Sequence, residues 1–256
     1  MRFVSLGSGS EGNALVVEVG TTRVMLDCGF GLRETARRLA EKALTPDHIS
    51  AIVITHEHSD HLGGAASFAR KYQIPVWMTH GTFQIFRQQH ETLPVVHIFD
   101  SHSHFSIGDI ELQPFPVPHD AREPAQIVFN DGKYRLGVLT DVGAVTPHII
   151  AMLTGCDALV LECNHDAGLL AHSSYPRGLK QRIAGQFGHL DNQAAADLLA
   201  RLDTGSLQHL IAAHLSRQNN RPDLALACLA AALGGTPEWL GCADQDHGFG
   251  WRSLSA

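Results

Sequence analysis

The segment His56-Glu57-His58-Ser59-Asp60-His61 packs three imidazoles and an aspartate into six residues. Neutral imidazole nitrogens and carboxylate oxygens are the ligands that zinc-type cations take at about 2.0–2.2 Å. The apolar run Ala51-Ile52-Val53-Ile54 leads into the cluster and reads as a buried strand, while Gly63-Gly64 and a helical pattern follow it. The cluster therefore sits at the C-terminal end of a strand, where one loop can turn all four side chains toward a small volume. A surface loop that is His-rich by chance lacks that apolar lead-in.

Three more ligand-type residues stand at strand ends. His119 lies in Pro116-Val117-Pro118-His119-Asp120-Ala121, Asp141 in Leu139-Thr140-Asp141-Val142-Gly143, and His214 in Ile211-Ala212-Ala213-His214-Leu215-Ser216. Taken singly, a His or Asp that ends a strand is more often a cap or turn residue. Taken together, four strand ends bearing imidazoles and carboxylates are what a dinuclear metal site needs.

The elements that must position these residues follow from the hydrophobic pattern. Strands are expected at 2–6, 14–19 and 23–26, the last two joined by a Gly20-Thr21-Thr22 turn, and a helix over 32–42. The strand at 51–54 is followed by a helix over 62–72, a strand at 75–78 and a helix over 82–89. From 97 to 139 the chain reads as mostly β, with strands at 110–115, 126–130 and 134–139, and an Asp131-Gly132 hairpin turn between the last two. Beyond Thr146 helix and strand alternate: a helix, a strand at 158–161, a helix over 192–202, a strand at 209–213 and a helix over 222–233. Two mixed sheets packed together with helices outside satisfy this α/β pattern. The sequence shows no internal repeat and no Pro-rich linker, so one domain spanning 1–256 is the simplest reading.

Composition bounds the function classes. At 256 residues with 44% hydrophobic and 18% charged content, the chain has the make-up of an ordinary globular protein. A formal net charge of -7 argues against a nonspecific nucleic-acid coat, though bound metal and local basic clusters leave room for a nuclease. The N-terminal residues lack the apolar core of a secretory leader, no apolar run is long enough to span a bilayer, and the five Cys form no CxxC pair. A cytoplasmic protein without membrane association is the expectation.

The order HxHxDH, then His, Asp and His, resembles the metallo-β-lactamase superfamily over nearly the whole chain. That resemblance implies an αββα four-layer sandwich, two mixed sheets flanked by helices, holding two divalent metal ions, zinc or manganese. His56, His58 and His119 would hold one ion and Asp60, His61 and His214 the other, with Asp141 and a water or hydroxide bridging the two. Two cations lower the pKa of such a water, so a nucleophile is available near neutral pH, and Asp60 counts as catalytic as well as ligating.

Finer motifs narrow the branch. Leu6-Gly7-Ser8-Gly9-Ser10-Glu11-Gly12-Asn13, Val117-Pro118-His119-Asp120-Ala121, Leu161-Glu162-Cys163-Asn164-His165-Asp166, Gly188-His189-Leu190-Asp191-Asn192 and His214-Leu215-Ser216-Arg217-Gln218-Asn219-Asn220 are similar to the YycJ/WalJ group. That group is described as 5′-to-3′ DNA exonucleases, which implies DNA as the substrate. His189, in a Gly-His pair before a helix, resembles the general-acid His of ribonuclease Z, and Glu162 matches the Glu that orients it there. An imidazole oriented by a carboxylate suits protonation of a leaving alkoxide; His165 competes for that role.

Substrate contacts are expected from Ser8, Ser10, Asn13, Asn164, His165 and Arg217. Residues 167–190 contain no acid but include His172, Arg177, Lys180 and Arg182, and Arg221 follows Arg217, a cationic rim on an acidic protein. The larger nucleases of this superfamily carry a second domain between the bridging Asp and the last His; Asp141 and His214 lie too close in sequence to hold one. The competing readings are a thioester, lactone or β-lactam hydrolase, which needs no His189, and a metal-loaded binding protein.

Overall fold

In the computed structural model, which describes residues 1–90, 92 and 94–255, the strand signals resolve into two seven-stranded sheets. The first is built from β1 (Arg2–Gly7), β2 (Ala14–Val19), β3 (Thr22–Leu26), β4 (Ala51–Val53), β5 (Val76–Met78) and β6 (Val96–Ile98). The second is built from β7 (Phe105–Ile107), β8 (Ile110–Pro116), β9 (Ala125–Asn130), β10 (Arg135–Leu139), β11 (Ala158–Glu162), β12 (His209–Ala213) and β13 (Leu240–Cys242). The last strand, β14 (Phe249–Ser253), returns to the first sheet and pairs antiparallel with β1.

Both sheets follow one plan. In the first, β14-β1-β2-β3 are antiparallel and β3-β4-β5-β6 parallel; in the second, β7-β8-β9-β10 are antiparallel and β10-β11-β12-β13 parallel. No sequence repeat accompanies this, so the duplication is one of topology. Parallel pairs need crossovers, and helices supply them. Helices α1 (Leu32–Glu41), α2 (Ser59–Leu62), α3 (Ala65–Tyr72) and α4 (His80–Gln89) link the parallel strands of the first sheet. Helices α5 (Pro147–Leu153), α6 (Ala167–His172), α7 (Arg177–Ile183), α8 (Asn192–Leu199) and α9 (Pro222–Leu233) do so in the second.

Strand alternation sorts the apolar side chains into three cores, which makes the four layers. Leu15, Val17, Val24 and Leu26 of the first sheet meet Ile127, Phe129, Leu136 and Val138 of the second between the sheets. On the outer face of the first sheet, Val16 and Met25 pack with Leu39 of α1 and Phe68 of α3. On the outer face of the second, Val128 and Leu139 pack with Ile149, Leu198 and Leu229 from α5, α8 and α9. The expected αββα sandwich is therefore the observed one.

The differences have local causes. The helix expected over 62–72 is two helices, because Gly64 N donates to the Cys28 carbonyl at 2.8 Å instead of continuing the helical ladder; a Cβ on Gly64 would lie 1.8 Å from the Phe30 carbonyl oxygen. Asp60 and His61 accordingly sit in the single turn of α2 rather than in a loop. The three-residue strands β6, β7 and β13 carry too few residues to give a periodic signal, and β14 and the short helices α6 and α7 lie outside the expected elements. Other elements shift by a few residues at their ends.

The topology fixes where chemistry collects. Strand β8 runs parallel to β10, β11 and β12, so their C-terminal ends share one edge, and the C-terminal ends of β3 and β4 face them. Crevices at the carboxyl ends of strands are the usual ligand sites of such sheets.

Candidate metal centre and active-site cleft

Three left-handed residues turn the chain at that edge. Asp27, Asp141 and His214 follow β3, β10 and β12 with φ of 62°, 52° and 56°. Non-Gly residues seldom adopt this conformation, and they cluster where side chains are aimed at a site. Asp60 is placed by close approach: a Cβ on Gly29 would lie 1.8 Å from the Asp60 carbonyl oxygen, which also accepts from Asn13 N at 2.8 Å.

Three donor groups result: the two expected from the sequence, and a third of Asp141, Glu162, His189 and His214 that shares residues with the second. In the first, His58 Nδ1 lies 3.1 Å from His56 Nε2 and 3.2 Å from His119 Nε2. In the second, His61 Nε2 lies 3.5 Å from Asp60 Oδ2 and 3.1 Å from Asp141 Oδ2, and His214 Nε2 lies 3.4 Å from both Asp60 Oδ2 and Asp141 Oδ1. Within each group the donor atoms lie within 4.8 Å of one another. Asp141 Oδ1 is also 3.9 Å from His119 Nε2, so this carboxylate stands between the first two groups.

The surrounding hydrogen bonds set the tautomers. His61 Nδ1 donates to Asp27 Oδ2 at 2.7 Å, and His119 Nδ1 donates to the Gly188 carbonyl at 3.1 Å. Each leaves Nε2 with its lone pair toward the donor group, the arrangement by which an outer partner orients a metal-binding imidazole. Thr55 donates its hydroxyl to Asp27 and lies 3.0 Å from His56 Nδ1. Glu57 points away from the cluster: its carboxylate accepts from Arg122 N at 2.7 Å.

Charge balance tests whether cations fit. Asp27, Asp60, Asp141 and Glu162 converge here, and among the described residues none forms an ion pair with Lys or Arg. Burial disfavours charge on Asp60 and Asp141, yet His61 and His214 hold both well below the ordinary carboxylate range. Burial likewise disfavours charge on the imidazoles, yet Asp141, Asp27 and Asp60 lift His61 well above its usual value, and Asp141, Asp60 and Glu162 lift His214 to about 10. Asp141 Oδ2 is buried and faces His61 Nε2, at 3.1 Å. Imidazole nitrogens facing one another and surplus buried carboxylate both suit divalent cations.

Beside the second group, Glu162 ends β11 fully buried. Its Oε1 accepts from His189 Nδ1 at 2.8 Å, and its Oε2 accepts from Val142 N at 3.0 Å and Leu190 N at 3.1 Å. Burial acts against ionisation of Glu162, but His189 and His214 hold it down to about 2. For His189 burial opposes protonation, and Glu162 and Asp141 outweigh it to raise its pKa. His189 lines a cleft of about 270 Å³ together with Ser10, His58, Asp60, Asp120, Asp141, Arg182 and His214.

The remaining expected contacts divide. Ser10 lines this cleft. Ser8, Asn13 and Asn164 are buried and spend their polar atoms on the scaffold, while the buried His165 lines a separate pocket with Arg177 and Lys180. Ser8 Oγ accepts from His214 N, Asn13 exchanges hydrogen bonds with Gly9 and reaches within 3.1 Å of His61 Nε2, and Asn164 donates to the His214 carbonyl and faces His165. Arg217 lies outside the cleft, paired with Asp246 and Glu11 along a separate groove that Arg221 also lines. Arg217 stands in the turn that links β12 to α9. Asp27 and Asp120 were not anticipated as site residues; Arg182, expected in the cationic rim, donates from Nε to Asp120 Oδ2 at the cleft wall.

With this geometry in hand, comparison with known proteins is informative. Residues 22–214 match the family model of the β-lactamase superfamily domain. The chain is 34% identical to exodeoxyribonuclease YycJ of Bacillus anthracis over 91% of this chain and 89% of that one. It is 33% identical to exodeoxyribonuclease WalJ of Streptococcus pneumoniae serotype 2 strain D39 over 88% and 85%. Among solved structures, the metallo-β-lactamase fold protein YhfI from Bacillus subtilis superposes with a TM-score of 0.73 at 14% identity, covering 98% of this chain and 99% of that one. At that identity the likeness speaks for the fold alone.

Proposed function

The chain belongs to the metallo-β-lactamase superfamily and to its YycJ/WalJ group, and from that premise we propose that it is a metal-dependent phosphodiesterase, a DNA exonuclease digesting 5′ to 3′. The observation that carries this reading is the Glu162–His189 pair set in the same cleft as the first two donor groups. The thiolate that leaves a thioester needs no proton, whereas an alkoxide leaving from phosphate must gain one.

His56, His58 and His119 would hold one divalent ion and Asp60, His61 and His214 the second, with the Asp141 carboxylate standing between the two groups. Two such ions supply Lewis acidity toward a phosphoryl oxygen and lower the pKa of the attacking water. The imidazole-rich donor set suits zinc, with manganese the alternative. Asp27 and the Gly188 carbonyl keep His61 and His119 oriented through their Nδ1 protons. Glu162 accepts the hydrogen bond of His189 Nδ1 and stays ionised, which leaves the Nε2 proton of the imidazolium for the departing oxygen. Arg182, held by Asp120, lies at the wall where a phosphate enters.

The protein acts as one domain, in the reducing cytoplasm. That setting suits its five free cysteines, and among the described residues no helix is long and apolar enough to cross a membrane. The test is incubation of the metal-loaded protein with end-labelled single- and double-stranded DNA and RNA, beside a thioester and a β-lactam. Stepwise release of nucleotides from the DNA 5′ end is the expected result. Rapid thioester turnover with nucleic acid left intact overturns the proposal.

A further inference from the structure

Phe187 is 60% exposed, one of three large apolar side chains so exposed among the described residues. The other two, Val95 and Ile98, belong to the sheet edge at β6. Phe187 instead stands directly before Gly188 and His189, both of which line the cleft.

The backbone beneath the ring is fixed. The Phe187 carbonyl accepts from Asp120 N at 3.0 Å, Gly188 N donates to the Gly185 carbonyl at 2.9 Å, and His189 N donates to the Ile183 carbonyl at 2.8 Å. The Gly188 carbonyl accepts from His119 at 3.1 Å. Packing closes the rest: a Cβ on Gly143 would lie 2.4 Å from both the Gln186 carbonyl carbon and Gly188 N, and one on Gly188 would lie 2.1 Å from the Ile183 carbonyl oxygen. The segment is thus tied to two residues of the cleft, His119 and Asp120, while its aromatic side chain faces water. An exposed ring on so constrained a backbone needs little further ordering to engage a ligand.

An apolar, flat surface beside a phosphodiester cleft matches the part of a nucleotide that is not phosphate. Every base has a π-face, so stacking on Phe tolerates any sequence, but it requires a base that is not stacked within a duplex. Arg182, five residues earlier and at the cleft wall beside Asp120, supplies a cation for the backbone phosphate. We propose that Phe187 is a stacking platform for an unpaired nucleobase adjoining the scissile phosphate, so that the substrate enters as a single-stranded or frayed DNA end. This rests on the phosphodiesterase reading above.

The test uses the metal-loaded protein and a 5′-labelled single-stranded oligonucleotide, intact or with abasic residues at its terminal positions. Phe187→Ala and Phe187→Leu are expected to raise KM for the intact strand about tenfold, with kcat changed far less, and Phe187→Trp to match or lower the wild-type KM. Abasic residues should raise the wild-type KM by a similar factor and that of Phe187→Ala no further, because the ring and the base form one interaction. A wild-type KM in Phe187→Ala, or an equal loss for Phe187→Ala on the abasic strand, overturns the stacking role while leaving the nuclease reading intact. Should Phe187→Ala fail to fold, a raised KM in Phe187→Trp overturns it instead. Wild-type protein that leaves every strand intact overturns both.

Discussion

His189 Nδ1 lies 2.8 Å from Glu162 Oε1, and the other oxygen of the same carboxylate is anchored by the backbone of Val142 and Leu190. Glu162 is therefore clamped from two sides before it meets the imidazole. Substituting Glu162→Gln keeps the shape but removes the charge that favours imidazolium. DNA cleavage is expected to fall by about 10²-fold or more. Cleavage that needs protonated His189 declines as pH rises through its pKa, so the loss of Glu162 charge should move that alkaline limb to lower pH. A pH–rate profile of the two proteins at saturating metal checks this; an unshifted limb contradicts it.

Asp27 touches His61 and Thr55 but belongs to none of the donor groups. Asp27→Asn keeps a hydrogen-bonding group yet loses the carboxylate that fixes the His61 Nδ1 proton. Metal affinity is expected to weaken by about 10–100-fold. Competition against a chromophoric chelator measures it, and wild-type affinity in the variant excludes the orienting role.

Gly29 lies against the Asp60 carbonyl, with 1.8 Å left for a Cβ. Gly29→Ala must push the Asp60 turn outward. We expect a loss of about 1–3 kcal/mol in urea unfolding together with lower metal occupancy. Gly31→Ala, where nothing approaches within 4 Å, is the matched control and should leave occupancy unchanged.

The donor groups were legible in the sequence to the degree that their residues were contiguous or ended recognisable strands. His56, His58, Asp60 and His61 announce themselves within one turn of chain, and His119, Asp141 and His214 stand where β8, β10 and β12 run out. Asp27 looked like an ordinary strand terminator, because only the packing of β3 beside β4 brings its carboxylate to His61. Ser8, Asn13 and Asn164 are polar residues in loops near the cleft, and sequence cannot tell a side chain that faces substrate from one that closes its own loop. Strand β14 pairs with β1 across the entire chain, a partnership that no local pattern announces. The topological duplication of the two sheets left no repeat, since it is carried by strand order and not by residue identity.

The most direct test of the central claim sets metal content beside DNA cleavage in His189→Ala. The account predicts two divalent ions per chain in both proteins and a rate on single-stranded DNA lower by about 10²-fold or more in the variant. Loss of metal from the variant, or cleavage at the wild-type rate with metal retained, would contradict it.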